Sequence, residues 1–367
     1  MDISKLSHPI YTNFSAEKGE AQGWAFLDKA TFQHIYFSLP VLSDDEVRGR
    51  ILYAGLCHSD SLTGREKWGP AKFPLITGHE IVAEATHVGK HVTHLKAGDK
   101  FLVGCFRDNC HHCHQCKETR DNLCTGVPLG KRVTYGEYFG GYASHIQIKG
   151  GWAFKAPEGL DLADAAPLMC AGITTYAPLK KYAKHGGHAL VIGVGGLGHL
   201  AVQYAKALGM KVTAFVSKKG TEDMIKALGG DETVVWTESD LKEHQNKFNV
   251  AICTLPVSPT EDQMTKLLNC MLPEGHFIQV GAPEQGDNLK ISPMALIVKQ
   301  ISIHGSIVGS HKETIEMLEF TAKHKVKVMC EHFKFEDFPK ALEKLEKGKP
   351  HFRCVVDIDP VSKAMHN

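Results

Sequence analysis

The chain has 367 residues, of which 43% are hydrophobic and 23% are charged, and its formal net charge is +1. The length predicts two domains, and the near-zero charge excludes the strong field that attracts nucleic acid or anionic membranes. No apolar stretch comes near the roughly 20 residues of a membrane span, and the N-terminal segment lacks the basic end and apolar run of a secretory signal. We therefore expect a cytoplasmic protein.

Short apolar runs separated by glycines and prolines fill the chain up to about residue 160, for example "HIYFSLP", "EVRGRILYAG" and "YASHIQI". This pattern predicts an antiparallel, barrel-like domain. From about residue 171, strand-like runs such as "HALVIGVG" and "KVTAFV" alternate with helical runs such as "LGHLAVQYAKALG". That alternation predicts a doubly wound parallel sheet. The C-terminal helix "FPKALEKLEKG" and strand "FRCVVDI" are expected to return to the first domain.

Eleven cysteines without a secretory signal favour reduced thiols and metal ligands over a disulfide framework. Cys110, Cys113, Cys116 and Cys124 have the spacing C-x2-C-x2-C-x7-C, which suits a closed, tetrahedral, structural zinc site. A haem-attachment motif also occurs, ending at His114, but it would leave two of the four cysteines unused. A DNA-binding zinc finger is the other alternative, although such modules are basic and this chain is not.

The stretch "VIGVGGLGHL" follows a predicted strand and opens a predicted helix, which is the context in which G-x-G-x-x-G indicates a dinucleotide site. Its motif glycines are Gly193, Gly195 and Gly198, and Gly196 and Leu197 lie between them. The glycines permit a tight turn and a close approach of a pyrophosphate to the helix N-terminus. A strand-to-helix turn without a ligand is the alternative.

The end of the next predicted strand distinguishes NAD from NADP. An NAD site expects an acid there, but "KVTAFV" is followed by Ser217, Lys218 and Lys219. A hydroxyl and two cations suit a 2′-phosphate, so the sequence predicts NADP(H). The two lysines would otherwise belong to a solvated loop.

Three further residues have the types of a catalytic Cys2His zinc site, which keeps one position open for substrate. They are Cys57 in "GLCHSD", His79 in "GHE" and Cys170 in "PLMCAG". Glu80 could assist as a transient ligand or as a partner of a ligand. Each residue also has a structural interpretation by itself, for example Cys170 as a buried thiol in an apolar helix.

The chain resembles the zinc-dependent medium-chain dehydrogenases, and among them the cinnamyl alcohol dehydrogenase-like branch. The resemblance rests on "GLCHSD", "PLITGHE", the four-cysteine segment, "AAPLMCAGITTYAPL", "GVGGLGHLAVQYAKALG", "GSIVGSHKETIEMLEF" and "HFRCVVDID", which extend over nearly the whole chain. It implies an α/β protein with a GroES-like catalytic domain (1–170 and 309–367) and a Rossmann NADP-binding domain (171–308). The implied reaction is reversible hydride transfer between NADP(H) and an alcohol–aldehyde pair.

The resemblance also implies roles for individual residues. Cys57, His79 and Cys170 match the catalytic zinc ligands, and Glu80 matches the alternate ligand. The four-cysteine segment would hold a second zinc ion, so the family pattern implies two per chain. A homodimer is expected, with a small alcohol or aldehyde as the other partner.

Four matched positions lie around these ligands. Ser59 matches the hydroxyl that connects the alcohol to a proton path, and His58 matches a contact to the cofactor pyrophosphate. Asp60 resembles the partner of the zinc-ligand histidine. Arg353 resembles a buried arginine near the metal and the cofactor.

The sequence departs from the family pattern at two positions. Leu62 stands where related enzymes have a histidine that passes the proton towards solvent, so a water or another histidine would have to substitute. Leu129 stands where plant lignin enzymes have tryptophan, while Trp68 resembles an aromatic at the pocket mouth. Aromatic, terpenoid and medium-chain aldehydes all remain candidate substrates. A non-catalytic protein on the same fold would be expected to lose zinc ligands or glycines, and this chain keeps them.

Overall fold

The structure is a computed structural model that describes residues 2–348 and 350–365, with the backbone alone at Glu238. Every helix within these ranges is too short or too polar to span a lipid bilayer.

Backbone contacts divide the chain into two compact units. The first consists of Met1–Cys170, Ser310–Lys323 and Val328–Asn367, and the second of Ala171–Gly309 and His324–Lys327. Gly309 and residues 324–327 therefore lie in the second unit, whereas the sequence analysis assigns them to the first domain.

The described strands and helices are as follows. The strands are β1 (Thr12–Ser15), β2 (Ala21–Phe26), β3 (Phe32–Ser38), β4 (Glu46–Leu56), β5 (Ile81–Val88), β6 (Lys100–Val103), β7 (His145–Lys149), β8 (Phe154–Lys155), β9 (His188–Ile192), β10 (Lys211–Val216), β11 (Glu232–Val235), β12 (Phe248–Cys253), β13 (Met271–Gln279), β14 (Ser302–Gly305), β15 (Cys330–Lys334) and β16 (Arg353–Asp357). The α-helices are α1 (His58–Gly64), α2 (His114–Lys117), α3 (Leu129–Arg132), α4 (Ala171–Tyr182), α5 (Gly198–Ala207), α6 (Glu222–Ala227), α7 (Glu261–Cys270), α8 (Pro293–Ile297), α9 (His311–His324), α10 (Phe338–Glu346) and α11 (Asp359–Ala364).

The first unit is β-rich, and its strand pairing brings distant segments to one place. β4 pairs antiparallel with β5 and with β16, in the registers Ala54↔Ile81 and Leu56↔Cys354. The residues that follow β4 therefore lie beside the residues that precede β5 and beside the start of β16. Pairing of the C-terminal strand β16 with β4 also shows that the tail returns to the first unit, as the sequence analysis predicts.

The second unit contains a parallel sheet with the strand order β11-β10-β9-β12-β13-β14. This is the doubly wound order of dinucleotide-binding folds, in which ligands bind beyond the carboxyl ends of the strands where the order reverses. That point lies between β9 and β12. The core of the second unit buries apolar side chains such as Leu190, Phe215 and Phe277. The predicted fold class is confirmed.

Candidate functional site

The first candidate site is a cluster of four potential metal ligands in the first unit. The ligand atoms of Cys57, His79, Glu80 and Cys170 all lie within 4.8 Å of one another, and the two thiol sulfurs are 3.9 Å apart. Cys57 directly follows β4, and the pair 79–80 directly precedes β5, so the register of these strands brings these three residues together. Cys57, His79 and Glu80 are buried, whereas Cys170 is partly exposed.

Asp60 organises this cluster from the first turn of α1. Its fully buried carboxylate accepts hydrogen bonds from the backbone N–H groups of Cys57 (3.1 Å) and Gly78 (3.0 Å) and from the Tyr142 hydroxyl (2.5 Å). It also lies 2.8 Å from Nδ1 of His79. A carboxylate accepts the Nδ1 proton and thereby leaves Nε2 of His79 free to bind a metal. The arrangement places Asp60 where the family pattern expects a partner of the ligand histidine.

Glu80 provides an orphaned anionic atom inside the cluster. One carboxylate oxygen forms an ion pair with Arg353, and both side chains are buried. The other oxygen, Oε2, is buried and has no hydrogen-bond partner among the described residues. Burial raises the pKa of Glu80 to about 7, although the Arg353 charge opposes this shift. A Cβ at Gly55 would lie only 2.1 Å from Oε2, so a glycine is needed there.

The donor set and its electrostatics fit a zinc ion. The hydrogen bond with Cys170 lowers the pKa of Cys57 well below its ordinary value, despite the opposing effect of burial. A thiolate is the form of cysteine that binds metals, and two sulfurs with one imidazole are a known catalytic zinc set. The unpartnered oxygen of Glu80 offers a further anionic donor at the same place.

The second candidate site is formed by the four predicted cysteines of the segment 110–124. The sulfur atoms of Cys110, Cys113, Cys116 and Cys124 lie within 4.8 Å of one another. Cys110 and Cys113 are 3.9 and 3.5 Å from the Cys116 sulfur. The short helix α2 supplies Cys116, and turns supply the others.

Backbone amides point at the sulfurs of this second cluster. The N–H of Cys113 donates to the Cys110 sulfur (3.2 Å), and the N–H of Cys110 donates to the Cys124 sulfur (3.4 Å). Backbone hydrogen bonds, the strongest from Thr125, lower the pKa of Cys113 to about 5. A Cβ at Gly126 would lie 2.4 Å from the Cys110 sulfur, so this glycine permits the close packing. The four sulfurs and their amide donors fit a closed tetrahedral zinc site.

The glycine-rich turn in the second unit has the geometry of a ligand cradle. Gly193 follows β9 with a φ of +83°, and a Cβ at Gly198 would lie 2.0 Å from the Gly193 carbonyl oxygen. A Cβ at Gly195 would meet open space, so this position has room for a ligand. Gly196 and Leu197 complete the turn before α5 begins.

A cavity of about 320 Å³ adjoins this turn in the second unit. Gly193, Val216, Ser217 and Lys218 are among its lining residues, and none of the lining residues that the structure describes is acidic. Lys219 is exposed in the same loop but does not line the cavity. The cavity therefore presents a hydroxyl and a cation at the end of β10, which fits a 2′-phosphate.

The remaining predicted residues occupy different environments. His58 is exposed at the start of α1, and Ser59 is partly exposed. Leu62, at the position of the family's relay histidine, is buried with 5% exposure. Trp68 and Leu129 are 41% and 59% exposed. These positions leave the contacts of His58 with the cofactor, and of the two exposed side chains with substrate, as predictions.

Sequence reasoning missed three side chains that contact the candidate sites. His199 is fully buried in α5, and its Nδ1 lies 3.1 Å from the Gly195 carbonyl oxygen. The side chain of Cys170 lowers the pKa of Cys105 to about 6. Burial lowers the pKa of His79, but the neighbouring Asp60 and Cys105 raise it overall. The Tyr135 ring lies beside the His79 ring, with the centroids 5.7 Å apart. His199 directly follows the last glycine of the motif, but no motif marks Cys105 or Tyr135, which only the folded chain brings to the first cluster.

Comparisons with known proteins agree with this geometry. Residues 196–323 match the family described as "Zinc-binding dehydrogenase", and residues 43–158 match the "Alcohol dehydrogenase GroES-like domain". The chain is 36% identical over 351 residues to "Probable cinnamyl alcohol dehydrogenase 6" of Arabidopsis thaliana, covering 92% of this chain and 94% of the relative. It is also 36% identical over 368 residues to "8-hydroxygeraniol dehydrogenase" of Catharanthus roseus, covering 96% and 97%.

The fold is also similar to that of a solved structure. The crystal structure of CAD from Helicobacter pylori, complexed with NADP(H), superposes with a TM-score of 0.82 at 30% identity, and the match covers 92% of this chain and 98% of that one. Since the similarity to these proteins extends over both units, this chain belongs to the zinc-binding, medium-chain alcohol dehydrogenases, in the cinnamyl alcohol dehydrogenase-like branch.

Proposed function

We propose that this protein is a zinc-dependent oxidoreductase that interconverts primary alcohols and aldehydes by hydride transfer with NADP(H). The cluster of Cys57, His79, Glu80 and Cys170 carries the proposal, because its donors are those of a catalytic zinc site. The proposal also assigns a role to each unit. The first unit provides the catalytic residues, and the second provides the cofactor-binding turn.

In the proposed catalytic site, Cys57, His79 and Cys170 hold the zinc ion, and Glu80 is its alternate ligand. A zinc ion bound there would supply a Lewis acid that favours the alkoxide form of an alcohol and polarises an aldehyde carbonyl. Asp60 keeps the His79 imidazole in the tautomer that presents Nε2.

Ser59 is positioned to receive the alcohol proton. Its partly exposed hydroxyl lies 3.3 Å from the Cys57 sulfur, so it borders the place where the substrate oxygen would bind. The positive charge of buried Arg353 is proposed to compensate the negative charge of Glu80 beside the other ligands. Arg353 is also proposed to contact the cofactor, together with His58 at the pyrophosphate.

The second cluster, Cys110, Cys113, Cys116 and Cys124, is proposed to hold a structural zinc ion, giving two per chain. Its four thiol donors would fill the tetrahedral coordination of a zinc ion, so no position would remain for substrate. In the second unit, the turn Gly193–Gly198 is proposed to bind the pyrophosphate of NADP(H), and Ser217, Lys218 and Lys219 its 2′-phosphate.

The proposed substrates are small aromatic, terpenoid or medium-chain alcohols and aldehydes. Relatives named for cinnamyl alcohol and for 8-hydroxygeraniol support the first two classes. We also propose that the enzyme is a homodimer. The function is tested by assaying a panel of primary alcohols with NADP and of the matching aldehydes with NADPH. Turnover of at least one pair is expected, and its absence from the whole panel with zinc-loaded protein would contradict the proposal.

Replacing both lysines that follow β10, in Lys218→Ala/Lys219→Ala, should raise KM for NADP by on the order of tenfold or more and leave KM for NAD nearly unchanged. A charge-assisted hydrogen bond contributes about 1.5–3 kcal/mol, and each 1.4 kcal/mol corresponds to about tenfold in affinity. Steady-state kinetics with both cofactors measure this effect. Lys211→Ala, which changes an exposed lysine at the opposite end of β10, is the matched control. Equal efficiency of the wild-type protein with NAD and NADP would contradict the assignment.

A further inference from the structure

The short helix α1 positions several groups of the proposed catalytic site. It begins directly after Cys57, and its first turn contains Ser59 and Asp60. The Asp60 carboxylate accepts a hydrogen bond from the Cys57 backbone N–H and lies 2.8 Å from Nδ1 of His79. A shift of α1 would therefore disturb Cys57, the Ser59 hydroxyl and the support of His79 together.

One carboxylate oxygen from the C-terminal tail accepts two hydrogen bonds from α1 and its C-cap. The Ser61 hydroxyl donates to Oε1 of Glu346 at 2.5 Å, and Nε of Arg65 donates to the same oxygen at 3.1 Å. Ser61 and Arg65 are four residues apart, and residues with this spacing share one face of a helix. Ser61 is also buried, and a buried hydroxyl needs a hydrogen-bond partner. Glu346 therefore fixes one face of α1 at successive turns.

The helix that supplies Glu346 also supports the first turn of α1. Glu346 is the last residue of α10, and Phe338 is the first. The fully buried Phe338 ring packs on the Tyr142 ring, with the centroids 4.4 Å apart. The Tyr142 hydroxyl donates to Asp60 at 2.5 Å. Thus α10 supports α1 at two places, through Tyr142 at the first turn and through Glu346 further along the helix.

From this geometry we infer that Glu346 is a positioning residue, which holds α1 in the orientation that the catalytic site requires. The inference rests on the proposed function. Glu346 is 285 residues away from Ser61 in the sequence and is not among the candidate metal ligands. It acts through α1, by keeping Ser59 and Asp60 in place beside the first cluster.

The loss of Glu346 should affect turnover more than stability. The side chains of Arg65 and Glu346 are 29% and 30% exposed, and ion pairs with such access to solvent contribute little to stability. By contrast, a displacement of about 1 Å in a catalytic group can lower the rate by about 10²-fold. We therefore expect Glu346→Ala to lower kcat by on the order of tenfold or more, because α1 loses both bonds while its bonds at Asp60 remain.

The test compares kcat for the best primary alcohol of the panel in Glu346→Ala, Glu346→Gln and Ser61→Ala. Glu346→Gln keeps an acceptor oxygen for both donors, so its kcat should lie closer to the wild-type value than that of Glu346→Ala. Ser61→Ala removes one of the two bonds without changing α10, and its kcat should lie between those of the wild type and Glu346→Ala. Glu343→Ala is the matched control and should have the kcat of the wild type, because Glu343 is a 60% exposed glutamate on the same helix that pairs with Lys347.

The absorption spectrum of a bound metal ion separates positioning from stability. Each variant is prepared with cobalt(II) in place of zinc, and the visible absorption of the thiolate-bound ion is recorded together with metal content and melting temperature. Glu346→Ala should shift this absorption relative to both the wild type and Glu343→Ala, because it loosens the helix that begins at Cys57. A loss of stability alone would lower the melting temperature without changing kcat or the spectrum of the folded, metal-loaded protein.

Unchanged kcat and an unchanged cobalt spectrum in both Glu346→Ala and Ser61→Ala would overturn the role of Glu346, whatever the melting temperatures. A wild-type protein that oxidises no alcohol of the panel would overturn the proposed function instead. In that case the cobalt spectra would still report whether Glu346 positions the first cluster.

Discussion

Cys170→Ser should abolish alcohol oxidation while the protein remains folded. Cys170 is one of the two sulfur donors of the first cluster, 3.9 Å from the Cys57 sulfur, and it is the partly exposed one of the four candidate ligands. Lewis-acid stabilisation by a catalytic zinc contributes several kcal/mol to the transition state. Because about 1.4 kcal/mol corresponds to tenfold in rate, we expect kcat to fall by on the order of 10³-fold or more.

Metal analysis should accompany this kinetic measurement. The Cys170→Ser protein is expected to contain close to one zinc ion per chain, while the wild-type protein contains close to two. Cys270→Ala is the matched control, since Cys270 is a buried thiol in α7 of the second unit and belongs to neither cluster. Normal turnover in Cys170→Ser would show that the catalytic assignment is wrong.

Cys116→Ser should act on stability. Cys116 contacts the sulfurs of both Cys110 and Cys113, and Asn109 donates to it. Structural zinc sites bind with about 10–16 kcal/mol. If about a quarter of this is lost with one ligand, the protein is destabilised by about 2.5–4 kcal/mol, which lowers Tm by on the order of 10 °C.

Thermal unfolding with and without a chelator measures this effect. The wild-type protein should lose stability when the chelator removes the metal, and Cys116→Ser should respond less because its site is already impaired. His114→Ala provides the matched control, because His114 is an exposed neighbour within the same segment and is not a proposed ligand. A Cys116→Ser protein as stable as the wild type would contradict a structural metal site.

The sequence predicts the second unit well because its signals are local. A buried strand followed by a glycine turn and an amphipathic helix produces β9, the turn at Gly193 and α5, and the structure shows a steric reason for glycine at Gly193 and Gly198. The cysteines of the second cluster are also close together in the sequence. Their spacing alone therefore indicates that they can surround one ion.

The first cluster is different, because its ligands are separated by up to 113 residues, from Cys57 to Cys170. Pairing of β4 with β5 places Cys57 beside His79 and Glu80, and the turn Ala166–Met169, which ends at Cys170, packs against both strands. No local pattern in the sequence fixes either contact. The family resemblance supplied the ligands. It did not supply Tyr135, whose ring lies beside that of His79 and which follows the bridge between residues 106 and 133.

The structure gives Leu62, which departs from the family pattern, a packing role. The side chain is buried, while Ser59 and Thr63 occupy the partly exposed face of the same helix. The position that carries a relay histidine in the family pattern therefore belongs to the packing of α1 in this chain.

Hydride transfer itself is tested most directly with a deuterated substrate. The best primary alcohol of the panel, carrying two deuterium atoms on the hydroxyl-bearing carbon, is incubated with the zinc-loaded enzyme and NADP, and the reduced cofactor is analysed by mass spectrometry and NMR. The proposed function predicts reduced cofactor with one deuterium at the nicotinamide, formed in equal amount to the aldehyde, and essentially none with Cys170→Ser. Reduced cofactor without deuterium, or equal deuterium transfer by Cys170→Ser, would contradict it.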